Sequence, residues 1–600
     1  MTGIAGMVSP RGAEVDPAVA GALAAPLSRL GPDRQDQWRS GRAFLAHALL
    51  ATTLEEERDQ QPLTFDGEVF LIADARIDGR EALIDDLRMA GRTIGADAPD
   101  SALILHAWHV WAEAAPEHLI GDFAFAIWDS RTETLFAARD QFGTVPFYFA
   151  RVGGSLVFGN AVPALLAHPG LDRSLNPVAI GDYLMFGHSL DPRTGFHRDI
   201  ERLPPAHCLT FADGAIRTRR YWTLPEADYR EAATRSADEV VERFRAVVTA
   251  AVRDRTRAAR VATTLSGGMD STLITALAMG APSSRIDSYS FGGDWLTPDT
   301  ERHWAWRCAH HLGVPFHSIS VEPGYLDPPG GPWRLPPEPR MELKYSSFHM
   351  VGDRLAAAGN RVLLMGMGGD AIVAAGPHHW AGLLRRRAYG PLFREALAFW
   401  RHDHRRPPLR TAWLRSRPVA LRPITAPLDP DFVREHRLEE RWREGHAALA
   451  RDPRENMAVH PFWTEMFVAS HPESTGLPVR ARQPFFDVRL LEASMRLPPS
   501  PWQFEKAILR TIGQGLLPDD IVRRPKTVFG VNPGWEAARR GLEPWIADLP
   551  LAAELDGYID RKRLAAIVAD IGSLPPQQYS SAVMLPASLA AWLRRQRQPL

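Results

Sequence analysis

The sequence predicts an α/β protein in two parts: layered sheets flanked by helices, then a doubly wound parallel sheet. Three observations carry this. Short apolar or alternating runs broken by Gly, Asp and Asn fill the first third, at Gly67–Ala73, Leu119–Asp129, Leu135–Asp140 and Gly154–Phe158, with helical stretches at 78–90 and 100–114 between them. From Val261 onward, short strands alternate with amphipathic helices, the pattern of parallel strands joined by crossovers. Two of those strands end in glycine turns that carry a carboxylate, Ser266-Gly-Gly-Met-Asp-Ser271 and Gly366-Met-Gly-Gly-Asp-Ala371.

A chain of 600 residues exceeds one hydrophobic core, so more than one domain is expected. Its net charge of -1 gives no overall pull toward nucleic acid or membrane. Cys208 and Cys308 have neither disulfide-framework nor metal-ligand spacing, and free buried thiols suit a reducing compartment. No signal-peptide pattern and no apolar run of spanning length is evident, so a cytoplasmic protein without a membrane span is expected.

The first glycine turn lies between the strand Val261–Leu265 and the apolar helix that follows Ser271. Glycines let backbone N–H groups close around an anion, and the helix start adds a positive dipole end. Asp270 is placed to hold magnesium, which usually takes one or two carboxylates plus the phosphates themselves. No Gly-Lys-Ser/Thr follows, so this is not a Walker loop. A plain strand–turn–helix is the alternative.

Residues 225–237 read as a linker, and Ser236-Ala-Asp-Glu239 opens a helix running to about Arg257, with Val240, Phe244, Val247, Val248 and Val252 at helical spacing. Ile286–Gly292, Pro315–Val321 and Arg361–Met365 read as further strands, with a helix started by Asp299-Thr-Glu301 between the first two. Ligands of such sheets bind at the carboxyl ends of the strands. The expected ligand contacts are therefore Leu265, Ser266, Gly267, Gly268, Asp270, Ser271, Phe291, Met365 and Gly366, with Asp270 and Asp370 as a magnesium pair. From 384 to 424 the chain is dense in arginine and tryptophan, either a solvated helical insert or a surface for an acidic or extended peptide.

The Ser266–Ser271 string resembles the pyrophosphate loop of the ATP pyrophosphatases, which split ATP into AMP and pyrophosphate. Gly121-Asp-Phe-Ala-Phe-Ala-Ile-Trp-Asp129 and Arg139-Asp-Gln-Phe-Gly-Thr-Val-Pro-Phe-Tyr148 closely resemble the glutaminase half of asparagine synthetases. That likeness continues through Phe158-Gly-Asn160 to Leu203-Pro-Pro-Ala-His207 and Tyr221-Trp222. It implies an N-terminal-nucleophile-like αββα sandwich over 1–224 and an ATP-dependent synthetase domain over 236–600. Further on, Arg482-Gln-Pro-Phe-Phe-Asp487, Lys506-Ala-Ile-Leu-Arg510 and Leu517–Phe529 match the family's closing motifs. Lys526 aligns with a lysine that stabilises the anionic transition state in β-lactam synthetases, and is expected to be catalytic with Asp270 and Asp370.

Several departures shape the expected activity. The family's nucleophilic cysteine is Thr2 here, its substrate-holding arginine is Leu49, and its Asn-Gly oxyanion pair is Ala73-Asp74. Asp100 alone retains the carboxylate that holds the glutamine amine. Loss of nucleophile, anchor and oxyanion donor together implies an inactive glutaminase. Met367 stands where asparagine synthetases carry Glu and β-lactam synthetases Tyr, and cannot move a proton. Glu465 and His471 are both candidate bases.

The resemblance therefore implies an ATP- and magnesium-using, amide-forming ligase whose amine comes from its own substrate. The lasso peptide cyclase branch fits best, with a precursor peptide as substrate and a leader peptidase and leader-binding protein as partners. A β-lactam or other small-molecule amide synthetase, an ammonia-dependent asparagine synthetase, and a nucleotide- or peptide-binding scaffold are the alternatives.

Overall fold

A computed structural model describes residues 2–281, 284–296, 301–322, 336–339, 345–373, 377–403, 406–416, 424–451, 460–525 and 532–596. The first part contains strands β1 (Gly3–Val8), β2 (Arg34–Ser40), β3 (Ala43–Leu49), β4 (Val69–Ile77), β5 (Gly121–Asp129), β6 (Thr134–Arg139), β7 (Tyr148–Val152), β8 (Ser155–Gly159), β9 (Ile200–Arg202), β10 (His207–Ala212) and β11 (Ala215–Arg220). They form two antiparallel sheets, ordered β2-β3-β1-β8-β7-β9 and β11-β10-β6-β5-β4.

Period-two alternation decides which side chains meet which layer. In β1, Ile4 and Val8 enter the core between the sheets, while Ala5 and Met7 face the helices Pro17–Ala24 and Val162–Leu166. In β5, Ala124, Ala126 and Trp128 face the other sheet, while Phe123, Phe125 and Ile127 pack under Arg80–Met89 and Asp100–Trp111. Both faces are buried, so these strands read as continuous apolar runs. The result is the αββα sandwich. The helix expected at 100–114 ends at Trp111, where Ala112 has φ 48° and a 3₁₀ turn takes over.

The second part adds β12 (Arg260–Thr264), β13 (Arg285–Gly292), β14 (Phe316–Ser320), β15 (Val362–Leu364) and β16 (Arg480–Arg482), all parallel in the order β14-β13-β12-β15-β16. The chain moves outward from β12 to β14, then returns to pair β15 on the other side of β12. The switch point of this doubly wound sheet therefore lies between β12 and β15, where a crevice opens at the carboxyl ends. Ala237–Arg255, opened by the Ser236–Glu239 capping box, packs with Met269–Ala278 and Glu301–Leu312 over one face. Val351 and Leu355 of the helix Tyr345–Ala357 cover the other. Asp299, expected to start the third of these helices, lies outside the described residues. No described helix is long and apolar enough to cross a membrane.

The two sequence halves do not fold as separate balls. The helix Pro177–Phe186, from the first part, sits in the core of the C-terminal helices with Leu438, Leu564 and Trp592. A seam of buried ion pairs continues the union. Arg255 Nη1 meets Asp78 at 3.0 Å and Asp487 at 2.9 Å, and Arg257 meets Asp100 at 2.8 Å.

Candidate active site

The glycine turn after β12 sits at the switch point. Leu265 N–H donates to the Tyr289 carbonyl (2.7 Å), carrying the sheet one residue past the strand. Ser266 and Ser271 hydroxyls lie 3.0 Å apart, and Gly268 N–H donates to Ser266 Oγ at 3.2 Å, so the hydroxyls close the turn under the start of the helix Met269–Ala278. Arg524 Nη1 donates to the Gly267 carbonyl at 3.1 Å with its guanidinium 5.1 Å from the Trp304 ring centre, a fixed cation beside the loop.

The second turn, after β15, packs directly on the first. A Cβ on Gly366 would lie 2.7 Å from Ser271 N, and one on Gly369 would lie 2.4 Å from Asp270 Cγ. Only glycine lets the two loops approach this closely. Asp270 thereby comes to face Asp370, and Lys506 Nζ lies against both, on Asp270 Oδ2 and 2.9 Å from Asp370 Oδ1. Lys506 and Glu505 both have positive φ (58° and 50°), a backbone that side-chain-bearing residues seldom adopt. That turn aims the ammonium into the crevice.

A magnesium-bound phosphate chain fits these residues. Two carboxylates converge on one cation position, a helix start and two hydroxyls border it, and the glycines let the two turns close together around it. Lys506 was quoted above only as part of a motif, and its place between the aspartates is the residue that sequence reasoning missed. Its signal was a lysine opening a helix just after Phe504. Phe291 and Met365, at the carboxyl ends of β13 and β15, pack half-buried over the second sheet face, and Leu265 is fully buried. Met367 packs against the main core of this half, so it fills space. Lys526 lies outside the described residues.

Glu465 and His471 do not turn toward this crevice. Glu465 is buried on Arg202 Nη1 at 2.6 Å, and Arg202 also holds Glu338 at 2.7 Å. His471 is buried 3.7 Å from Asp74, and burial pushes its pKa down to about 4, so it is neutral near pH 7. Their expected roles as bases give way to positions in the seam, where Glu465 pairs with Arg202 and His471 lies toward Asp74, both from the first half.

Thr2 is buried in the first half. Its hydroxyl accepts from Leu50 N–H (3.3 Å) and its carbonyl from Asn160 Nδ2 (2.8 Å), which also reaches Asp74 Oδ2 at 3.2 Å. Burial favours protonated Asp74, but Arg480, against Asp74 Oδ1, and His471 outweigh it and hold the pKa at about 2. An ionised carboxylate thus stands beside Thr2, linked to it through Asn160. Asp100 is likewise spent: it pairs with Arg80 and Arg257 and accepts from Ile77 N–H at 2.9 Å. Leu49 lines a cleft of about 430 Å³ with Arg34, Arg260 and Arg361, at the amino ends of β12 and β15 and so opposite the glycine turns. Between Thr144 and Ser470, His471 and Arg480, the seam leaves a cavity of only about 10 Å³.

One consequence is measurable. Asp74's folded pKa lies below its ordinary 3.8, so its stabilisation is present above that pH and lost as pH falls toward about 2. Asp74→Asn is expected to flatten this acid limb in Tm measured across pH, and an unchanged slope would count against the assignment.

The fold and site define an α/β protein that joins a nucleophile-type sandwich to a parallel sheet whose switch point carries two glycine turns, two aspartates and a lysine. The asparagine synthase family matches residues 243–594 and the glutamine amidotransferase domain family matches 1–222, and the chain belongs to the asparagine synthase family. Asparagine synthetase [glutamine-hydrolyzing] 3 of Bacillus subtilis is 27% identical over 91% of this chain and 90% of its own. Asparagine synthetase 2 of the same organism is 23% identical over 88% and 71%. A solved B. subtilis glutamine phosphoribosylpyrophosphate amidotransferase aligns over 60% of this chain and 90% of its own, at 13% identity and a TM-score of 0.28.

Proposed function

We propose that this protein forms a macrolactam in a lasso-type precursor peptide. A side-chain carboxylate of Asp or Glu attacks the α-phosphorus of ATP, pyrophosphate leaves, and the peptide's N-terminal amine then displaces AMP from the acyl carbon and loses a proton. The magnesium ion, held by Asp270 and Asp370, would neutralise the pyrophosphate as it departs. Ser266, Gly268 and Ser271 orient the phosphates, Lys506 and Arg524 add fixed positive charge, and Lys526 is assigned to the developing oxyanion.

The observation that carries this reading is the ionised Asp74, neutralised by Arg480 and sited beside Thr2. It argues against ammonia drawn from glutamine, which leaves an amine on the substrate itself or free ammonia as the nitrogen source. A second reading, asparagine synthesis, is supported by the relatives that align along nearly the whole chain, both named as glutamine-hydrolyzing asparagine synthetases; with the glutaminase inactive, free ammonia would have to serve.

Mass spectrometry separates the two. With Mg-ATP, a candidate precursor and its leader peptidase, the trimmed peptide is expected to lose one water. Conversion of free aspartate and ammonia to asparagine would favour the second reading. Ammonia release from glutamine is expected to stay at background, and clear turnover would overturn the inactive-glutaminase assignment.

A further inference from the structure

The insert after the second glycine turn forms three helices, Pro377–Arg385, Tyr389–Asp403 and Leu409–Ser416. They share a small core of Trp380, Leu392, Phe399 and Ala412, closed by Phe504. Glu395 ties the first two helices, accepting from Trp380 Nε1 at 2.9 Å. That uses one of only two carboxylates in residues 377–416, a stretch with nine arginines in a chain of net charge -1.

The outer surface is unusual in two ways. Tyr389, Phe393 and Trp400 are 61%, 70% and 53% exposed, and a spacing of four and seven residues puts them on one helix face. Leu409 and Trp413, four apart on the next helix, are also exposed. Arg385, Arg394, Arg401, Arg406 and Arg410 are exposed beside them, and none makes an ion pair among the described residues. Solvated helix faces rarely spend aromatic rings this way.

We propose that this face docks an acidic peptide segment bearing apolar side chains, with the arginines meeting carboxylates and the aromatic stripe taking the apolar groups. The occupant is argued from charge complementarity: a surface this basic and apolar matches a partner that is acidic and apolar. Position supports it. The insert begins a few residues after Asp370, and Phe504 in its core is two residues from Lys506, which lies on both aspartates. A peptide held here is tethered beside the crevice, which raises its local concentration there. The inference rests on the peptide-substrate reading and names how that substrate is held.

Fluorescence anisotropy on the full-length protein without ATP tests it. The probe is a labelled 20-residue peptide alternating Glu-Leu and Glu-Phe pairs, with a Lys-for-Glu counterpart as control. The acidic probe is expected to bind, to weaken as salt rises, and to bind about tenfold more weakly to the triple variant Arg394→Glu, Arg401→Glu, Arg410→Glu. Phe393→Ser, which leaves the charges in place, is expected to weaken it as well, with Tm reporting that both variants fold. Equal binding of both probes, no loss in the variants, or binding of phosphatidylglycerol vesicles or a single-stranded oligonucleotide in place of the peptide would overturn the proposal. Because binding is read without nucleotide, its failure is distinct from a failure of ATP–pyrophosphate exchange.

Discussion

Asp270→Asn is expected to lower substrate-dependent ATP–pyrophosphate exchange by about 10³-fold or more while leaving the fold intact. The substitution keeps size and shape, and Asp270 lies in the first turn of Met269–Ala278 rather than in a core. What it removes is one of the two negative charges that converge on a single cation position with Lys506. Gly369→Ala is the informative companion. Its Cβ would sit 2.4 Å from Asp270 Cγ, so the carboxylate must move while keeping its charge. A displacement of about 1 Å in a catalytic constellation costs on the order of 10²-fold, so the alanine variant is expected to fall between wild type and Asp270→Asn. Exchange within tenfold of wild type for Asp270→Asn would remove Asp270 from the site.

Arg255→Met is expected to destabilise the protein by about 3–5 kcal/mol, read as a lower urea midpoint. Arg255 is 1% exposed and carries Asp78 at 3.0 Å, Asp487 at 2.9 Å and the Phe486 carbonyl at 2.9 Å. Methionine fills much of the volume but leaves two buried carboxylates short of a cation, and that is the costly part. By contrast Arg243→Met, at the exposed pair with Glu231, is expected to leave the midpoint unchanged. The same Arg255 contacts join Asp78 of the first half to Asp487 of the second. A midpoint like that of Arg243→Met would mean that the seam contributes little to stability.

Most of the fold was legible because its signals are local. The continuous apolar run of β5 and the β-branched run of β12 mark strands without reference to the rest of the chain, and the Ser236–Glu239 capping box marks a helix start from four residues. β16 was not legible. It has three residues, Arg-Ala-Arg, and its buried arginines donate to Asp74 and to the Thr52 carbonyl, more than four hundred residues earlier. Glu465, in the apolar helix Pro461–Ala469, and His471 just past its end misled for the same reason: a lone titratable residue among apolar ones reads as chemistry until the opposite charge from the first half is seen.

The sequence alone determined that a glycine turn bearing a carboxylate follows one parallel strand and that a second such turn follows another. Those are properties of residue type and spacing. Tertiary structure alone decided that the two turns touch, that Lys506 lies between their aspartates, and that Asp74 is an ionised group held by Arg480. Each of these depends on contacts between residues roughly one hundred to four hundred positions apart. A charge takes its meaning from the opposite charge that folding brings to it, and no local pattern encodes that partner.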